Sequence, residues 1–213
     1  MAGSELLSRV DHLVYACAEL ERGIAEIEQV LGVRARLGGR HSMWGTHNAL
    51  VGLGARSYLE IIAPDADHAP TSGQRPFGLD AVSRSHLVAW AASGRELKAW
   101  RNEAAQGGVH LGTIRSGSRR PADGVMLEWK LTDLRCVVDD GIVPFLIDWG
   151  TSPHPSLTAP KGAMLVGLRA EHPDAERVRN MMSVLALDLH VDAGLRPALV
   201  AEIRCPKGVI ALR

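Results

Sequence analysis

Aromatic side chains are scarce in this 213-residue chain, with two Phe, two Tyr and five Trp, and there are only three cysteines. Cys17, Cys136 and Cys205 are odd in number, far apart and never spaced as Cys-x-x-Cys. That excludes a disulfide framework and a structural zinc site. They read as buried apolar fillers of a protein kept in a reducing cytoplasm. Charge of one sign is missing too: Lys plus Arg and Asp plus Glu each total 24, for a net charge of zero. The basic excess that nucleic acid or an anionic membrane surface wants is therefore absent. No apolar run approaches the roughly 18 residues of a membrane span, and Met1 to Arg9 is too polar for a signal peptide. The serines lack a Gly-x-Ser-x-Gly setting, and no Walker-type or dinucleotide glycine pattern occurs. A small molecule is left as the expected partner, in a cytoplasmic protein, with a homodimer as an open option.

What is present is an ordinary globular balance of 46% apolar and 23% charged residues, long enough to bury a sizeable core. Two short apolar strands each carry an early His: Val10-Asp11-His12-Leu13-Val14-Tyr15-Ala16 and Arg84-Ser85-His86-Leu87-Val88-Ala89-Trp90. After the first, Leu20, Ile24, Ile27 and Leu31 recur at helical spacing, and Gly32 ends the helix. Strand candidates follow at 34–37, 47–53 and 58–62, with Gly38-Gly39 read as a turn. After a Pro- and Gly-rich connector the pattern restarts. Ser93 to Glu96 has the spacing of a capping box, Leu97, Trp100 and Ala104 make a helical stripe, and strands are predicted at 109–114, 125–131 and 143–149. A third, shorter round begins near Ala163, with Pro173 and Asp174 opening its helix. The fold class is thus α+β, built from tandem βαβββ modules over 8–160 and a shorter third repeat over 161–213.

Glu60 lies inside Tyr58-Leu59-Glu60-Ile61-Ile62. Strand alternation places it opposite Leu59 and Ile61, and a carboxylate there is costly to bury unless it faces a cavity or a cation. Arg40, His47 and Asn48 form a polar cluster read either as cavity lining or as local turn chemistry. In the first reading Arg40 grips a carboxylate or phosphate, His47 acts as acid or base and Asn48 orients the substrate. His41 reads as a loop residue and His154, between two prolines, as a surface turn. The five tryptophans read as core or cavity wall, with Trp129 and Trp149 lining an apolar pocket. Arg115, Arg119 and Arg120 read as a charged lip.

The blocks Asp11 to Ala16, Gly39-Arg40-His41, Gly45 to Leu50, Tyr58 to Pro64 and Pro144 to Trp149, with His154-Pro155-Ser156 behind the last, resemble the vicinal oxygen chelate superfamily and, within it, the glyoxalase-like domain proteins. The resemblance implies paired modules whose mixed sheets curl around a cavity, and a divalent metal held by the first and last strand of each module. Carried over by position, it implies His12, Glu60, His86 and Asp148 as metal ligands; Glu60 is also the expected catalytic residue, and Trp149, as a pocket liner, is expected to touch substrate. Such donors suit Zn, Fe, Ni or Mn. His12, His86 and Glu60 alone favour dioxygenase chemistry; adding Asp148 favours a lyase or isomerase. The function so implied is a metal-dependent enzyme of the glyoxalase or dioxygenase type acting on a small oxygenated substrate. The alternative is a metal-free small-molecule binding protein that uses the same cavity.

Overall fold

The computed structural model describes residues 2–71, 73–119 and 126–213; Met1, Arg120 of the arginine lip and Val125 of the predicted strand lie outside them. The chain runs α1 (Ala2–Arg9), β1 (Val10–Ala16), α2 (Leu20–Leu31), β2 (Arg36–His41), β3 (Thr46–Gly52), β4 (Tyr58–Pro64), β5 (His86–Ala92), α3 (Leu97–Gln106), β6 (Ile114–Arg119), β7 (Leu127–Thr132), β8 (Phe145–Asp148), β9 (Met164–His172), α4 (Ala175–Val184), β10 (His190–Ala193), β11 (Ala198–Cys205) and β12 (Gly208–Leu212). It is an α+β fold, as the repeated pattern implies.

Local chemistry sets most helix limits. Leu20, Ile24, Ile27 and Leu31 are the buried stripe of α2, and full burial of side chains this size stabilises by about 1.5–3 kcal/mol each. Gly32 closes the helix at φ 72°, its N–H bonded to the Glu28 carbonyl at 2.8 Å. At α3 the expected capping box is replaced. Glu96 itself is the cap, its carboxylate accepting from the Lys98 and Ala99 amides, while the Ser93 N–H is bonded to the Arg9 carbonyl. The cause is α1, which has no counterpart in the predicted elements and brings Arg9 against this turn. Asp174 caps α4 by accepting from the Arg177 N–H.

Eight strands form one mixed sheet in the order β2-β3-β4-β1-β5-β8-β7-β6. In each module the first strand runs parallel to the last, β1 with β4 and β5 with β8, and β1 meets β5 antiparallel at the centre. The sheet curls until its two edges approach. At that seam Arg119 of β6 reaches Asn48 of β3 across Gly38. Gly38 and Gly39 therefore sit inside β2, not in a turn; a Cβ on Gly38 would lie 2.6 Å from the Arg119 guanidinium. The strand predicted at 109–114 starts at Ile114 instead. Val109 and Leu111 are buried, but they plug the core at the end of α3, where the Val109 N–H bonds the Ala104 carbonyl.

The third round keeps the order strand, helix, three strands but pairs differently. β9 lies between β10, its parallel neighbour, and antiparallel β11, with β12 at the edge. Its Leu165, Val178 and Met182 join the same apolar core as Ile24, Trp90 and Trp100. The Trp100 indole N–H donates to the Leu185 carbonyl at 3.0 Å. Of the three cysteines only Cys17 is buried, where burial pushes its thiol up to about 12; Cys136 is exposed, and Cys205 is partly buried against the edge of the core.

Candidate functional site

Strand alternation would send Asp11 and His12 to opposite faces. A register shift between Val10 and His12, where β1 pairs with β5, removes that alternation, as a bulge does when it re-aims a side chain. Both residues are buried, and the His12 Nδ1–Asp11 Oδ1 distance is 2.8 Å. Asp11 also accepts from Trp149 Nε1 at 3.2 Å and His154 Nε2 at 3.2 Å. The Asp11 carboxylate can only accept, so the His154 Nε2 that faces it carries a proton, while His154 Nδ1 is held by Ser156 at 2.7 Å. Burial works to raise the Asp11 pKa, but the hydrogen bonds from His12 and His154, and the charge of these rings when protonated, outweigh it and hold the carboxyl far below its ordinary range. An ionised Asp11 fixes the proton of His12 on Nδ1 and leaves the Nε2 lone pair facing the cavity.

Glu60 comes from β4, on the cavity face with Tyr58, as alternation predicts. Its Oε2 lies 3.7 Å from His12 Nε2, and its Oε1 accepts from Asn48 Nδ2 at 2.5 Å. The Asn48 carbonyl oxygen accepts in turn from Arg119 Nη1 at 3.4 Å. Tyr58 stacks on the His12 ring at 4.6 Å and Phe145 meets it edge-on at 5.4 Å. His41 is buried beside them, 3.2 Å from the Thr46 hydroxyl. Burial lowers its pKa to about 4, so it is a neutral ring at physiological pH.

These groups enclose a small inner chamber of about 30 Å³ bordered by His12, Asn48, Glu60 and Arg119, room for a water or two at roughly 10–15 Å³ each. Beyond it lies an open vestibule of about 470 Å³. Trp44, Trp129, Trp149 and His41 border both spaces and form the wall between them. The vestibule is the more polar of the two, with Glu128, Lys130 and Asp148 on its walls, but the buried pair His12 and Glu60 lies in the inner space, which places the proton chemistry there.

Of the residues expected from the sequence, His12, Glu60, Asn48 and Trp149 come together here. Four do not. Arg40 is half-exposed and pairs with Asp65 at 2.8 Å and Asp67 at 3.0 Å. His47 alternates with Thr46 and Asn48, so it faces away from the chamber. His86 is exposed and pairs in register with Ala16, while Ala91 stands across from His12. Four residues of strand separate them, about 13 Å at 3.3 Å per residue. Asp148 is exposed and caps a turn by accepting from the Gly150 N–H at 2.9 Å; its strand presents Phe145 and Ile147 to the chamber instead. Among the described residues no three His, Cys, Asp or Glu side chains are grouped to hold a metal. Two converging donors, one of them already bonded to Asn48, do not fit a resident divalent metal.

The sequence reading missed Asp11, His41, His154 and Arg119. Asp11 was signalled only by its adjacency to His12. The His154-Pro155-Ser156 block pointed to its own turn but not to Asp11, 143 positions away. Two residues of the arginine lip lie in strand β6, where Arg115 pairs with Asp133 and Arg119 turns inward.

A profile of the glyoxalase-like domain family matches residues 10–185. The chain therefore belongs to the glyoxalase-like domain family, the one its strand residues resemble. Among solved structures it is similar to a hypothetical protein from Staphylococcus aureus, at 15% identity and a TM-score of 0.63 over 95% of this chain and 83% of that one. It is also similar to methylmalonyl-CoA epimerase from Mycobacterium tuberculosis, at 18% identity and a TM-score of 0.44 over 71% of this chain and 92% of that one. No curated protein matches it. No helix among the described residues is long and apolar enough to cross a membrane.

Proposed function

We propose that this chain is an enzyme that binds a small oxygenated molecule at the base of the vestibule, with its reacting end in the inner chamber, and moves a proton on it without a resident metal. The observation that carries this reading is the aim of His12: its Nδ1 side is fixed by Asp11, and its Nε2 faces Glu60 Oε2 at 3.7 Å in the inner chamber. His12 Nε2 takes a proton from the bound molecule, and the imidazolium so formed is stabilised by the buried Asp11 carboxylate. The same nitrogen returns the proton to the product. Glu60 accepts a hydrogen bond from a substrate hydroxyl and sets its orientation. Tyr58 and Phe145 fix the plane of the ring and keep water away from it.

The test is deuterium exchange. Small hydroxy-carbonyl compounds are incubated with the protein in D2O and followed by proton NMR. Exchange at the carbon beside the carbonyl should fall about 10²- to 10⁴-fold in His12→Ala and be unchanged by EDTA. Exchange that needs an added divalent metal would overturn the metal-free reading. A second reading, pure ligand binding without turnover, is favoured by the tightness of the chamber; saturable binding with no His12-dependent exchange on any compound would select it.

A further inference from the structure

Arg119 is a buried charge that the proton-transfer chemistry leaves unused. It ends β6 at the seam of the curled sheet, only 7% exposed, in a slot that exists because Gly38 has no side chain. Other arginines of the fold face carboxylates: Arg40 with Asp65, Arg75 with Asp80 and Arg115 with Asp133. Among the described residues Arg119 has no such partner. Its hydrogen bond is a long one, 3.4 Å, donated to the neutral amide of Asn48. That amide also stands between it and Glu60. A guanidinium has five N–H donors in a planar fork, and burying it without an opposite charge in contact is costly. Arg119 borders the inner chamber and also a side pocket of about 120 Å³ under the 153–159 turn.

We infer that Arg119 is the anion-recognising residue of the chamber and that the molecule bound there is a small organic acid. Its carboxylate would pair with the guanidinium, in the bidentate geometry that fork favours. The carbon beside that carboxylate then lies toward His12 Nε2 and Glu60 Oε2. A monoanionic carboxylate fits better than a phosphate ester, because Glu60 shares the chamber and repels a dianion more strongly. The inference rests on the chamber being the ligand site.

Trp44, Trp129 and Trp149 border the chamber, so intrinsic fluorescence reads its occupancy without turnover. The probes are size-matched pairs: acetate against acetamide, and pyruvate against methyl pyruvate. The parent should bind each carboxylate at least tenfold more tightly than its neutral partner. Arg119→Gln should abolish that difference with an unchanged circular dichroism spectrum, and Arg119→Lys should keep part of it. If Arg119→Gln does not fold, Arg119→Met, which keeps the apolar stem and removes the charge, gives the same comparison. Full carboxylate preference in Arg119→Gln would overturn the inference. So would saturable binding of the neutral probes alone, which would leave the chamber as the ligand site. Binding of none of the four would overturn both.

Discussion

Replacing Asp11 by Asn changes one atom and removes the charge on which the site is arranged. Three donors converge on this carboxylate, from His12, His154 and Trp149, and an amide offers one oxygen and one NH2 in its place. The Trp149 indole is always a donor, and His154 faces Asp11 through Nε2 with its Nδ1 held by Ser156. The Asn oxygen must therefore face those two and its NH2 must face His12. That forces the His12 proton from Nδ1 to Nε2 and turns the base into a donor. Each of the three bonds weakens from charged to neutral, roughly 1 kcal/mol apiece, so stability should fall by about 3 kcal/mol, a drop in Tm of roughly 6–12 °C for a chain of this size. The tautomer is read directly from long-range proton–nitrogen correlation spectra of the His12 ring, and stability from urea unfolding. A His12 ring that keeps its proton on Nδ1 in Asp11→Asn would refute the arrangement, whatever the activity does. The carboxyl's folded pKa lies below its ordinary value of 3.8. Its stabilisation is therefore complete above that pH and is lost as the pH falls through the lower folded value; in Asp11→Asn this acid-sensitive component should vanish.

His41 adds a second pH dependence at milder acidity. Its pKa falls from 6.5 to about 4 on folding because burial disfavours the charged ring, so the unfolded chain binds the proton more readily. Stability is full above pH 6.5 and is lost on the way down to about pH 4, by on the order of 3 kcal/mol. Urea midpoints measured across that range should flatten in His41→Gln, and an unchanged slope would show that other groups cause it. In Trp100→Phe the buried Leu185 carbonyl loses its partner, at a cost of about 1–3 kcal/mol. Unfolding should nevertheless remain a single transition, because the third unit shares one core with the two modules; two separated transitions would show that it folds independently.

The modules were legible because their signals are local. The buried stripe of α2, the terminating Gly32, the alternation that turns Glu60 inward and the repeat of strand, helix and strands all follow from neighbours a few positions apart. His12 and Glu60 were legible for the same reason, and both reach the chamber. Arg40, His47, His86 and Asp148 did not. His47 is turned away by the same alternation that brings its neighbour Asn48 inward. A start four residues out of line carries His86 about 13 Å from His12. Arg40 finds Asp65 and Asp67 in a connector whose path the sequence pattern does not fix.

By itself the sequence determined the α+β class, the modular repeat, the family resemblance and the strand that presents Glu60, since periodicity and turn chemistry act over short chain distances. Tertiary structure alone decided that Asp11 shares a face with His12, that His154 and Trp149 close around it, and that Arg119 crosses the seam to Asn48. Those contacts join residues from 71 to 143 positions apart. They depend on a register shift at the centre of the sheet and on how tightly the curled sheet brings its edges together.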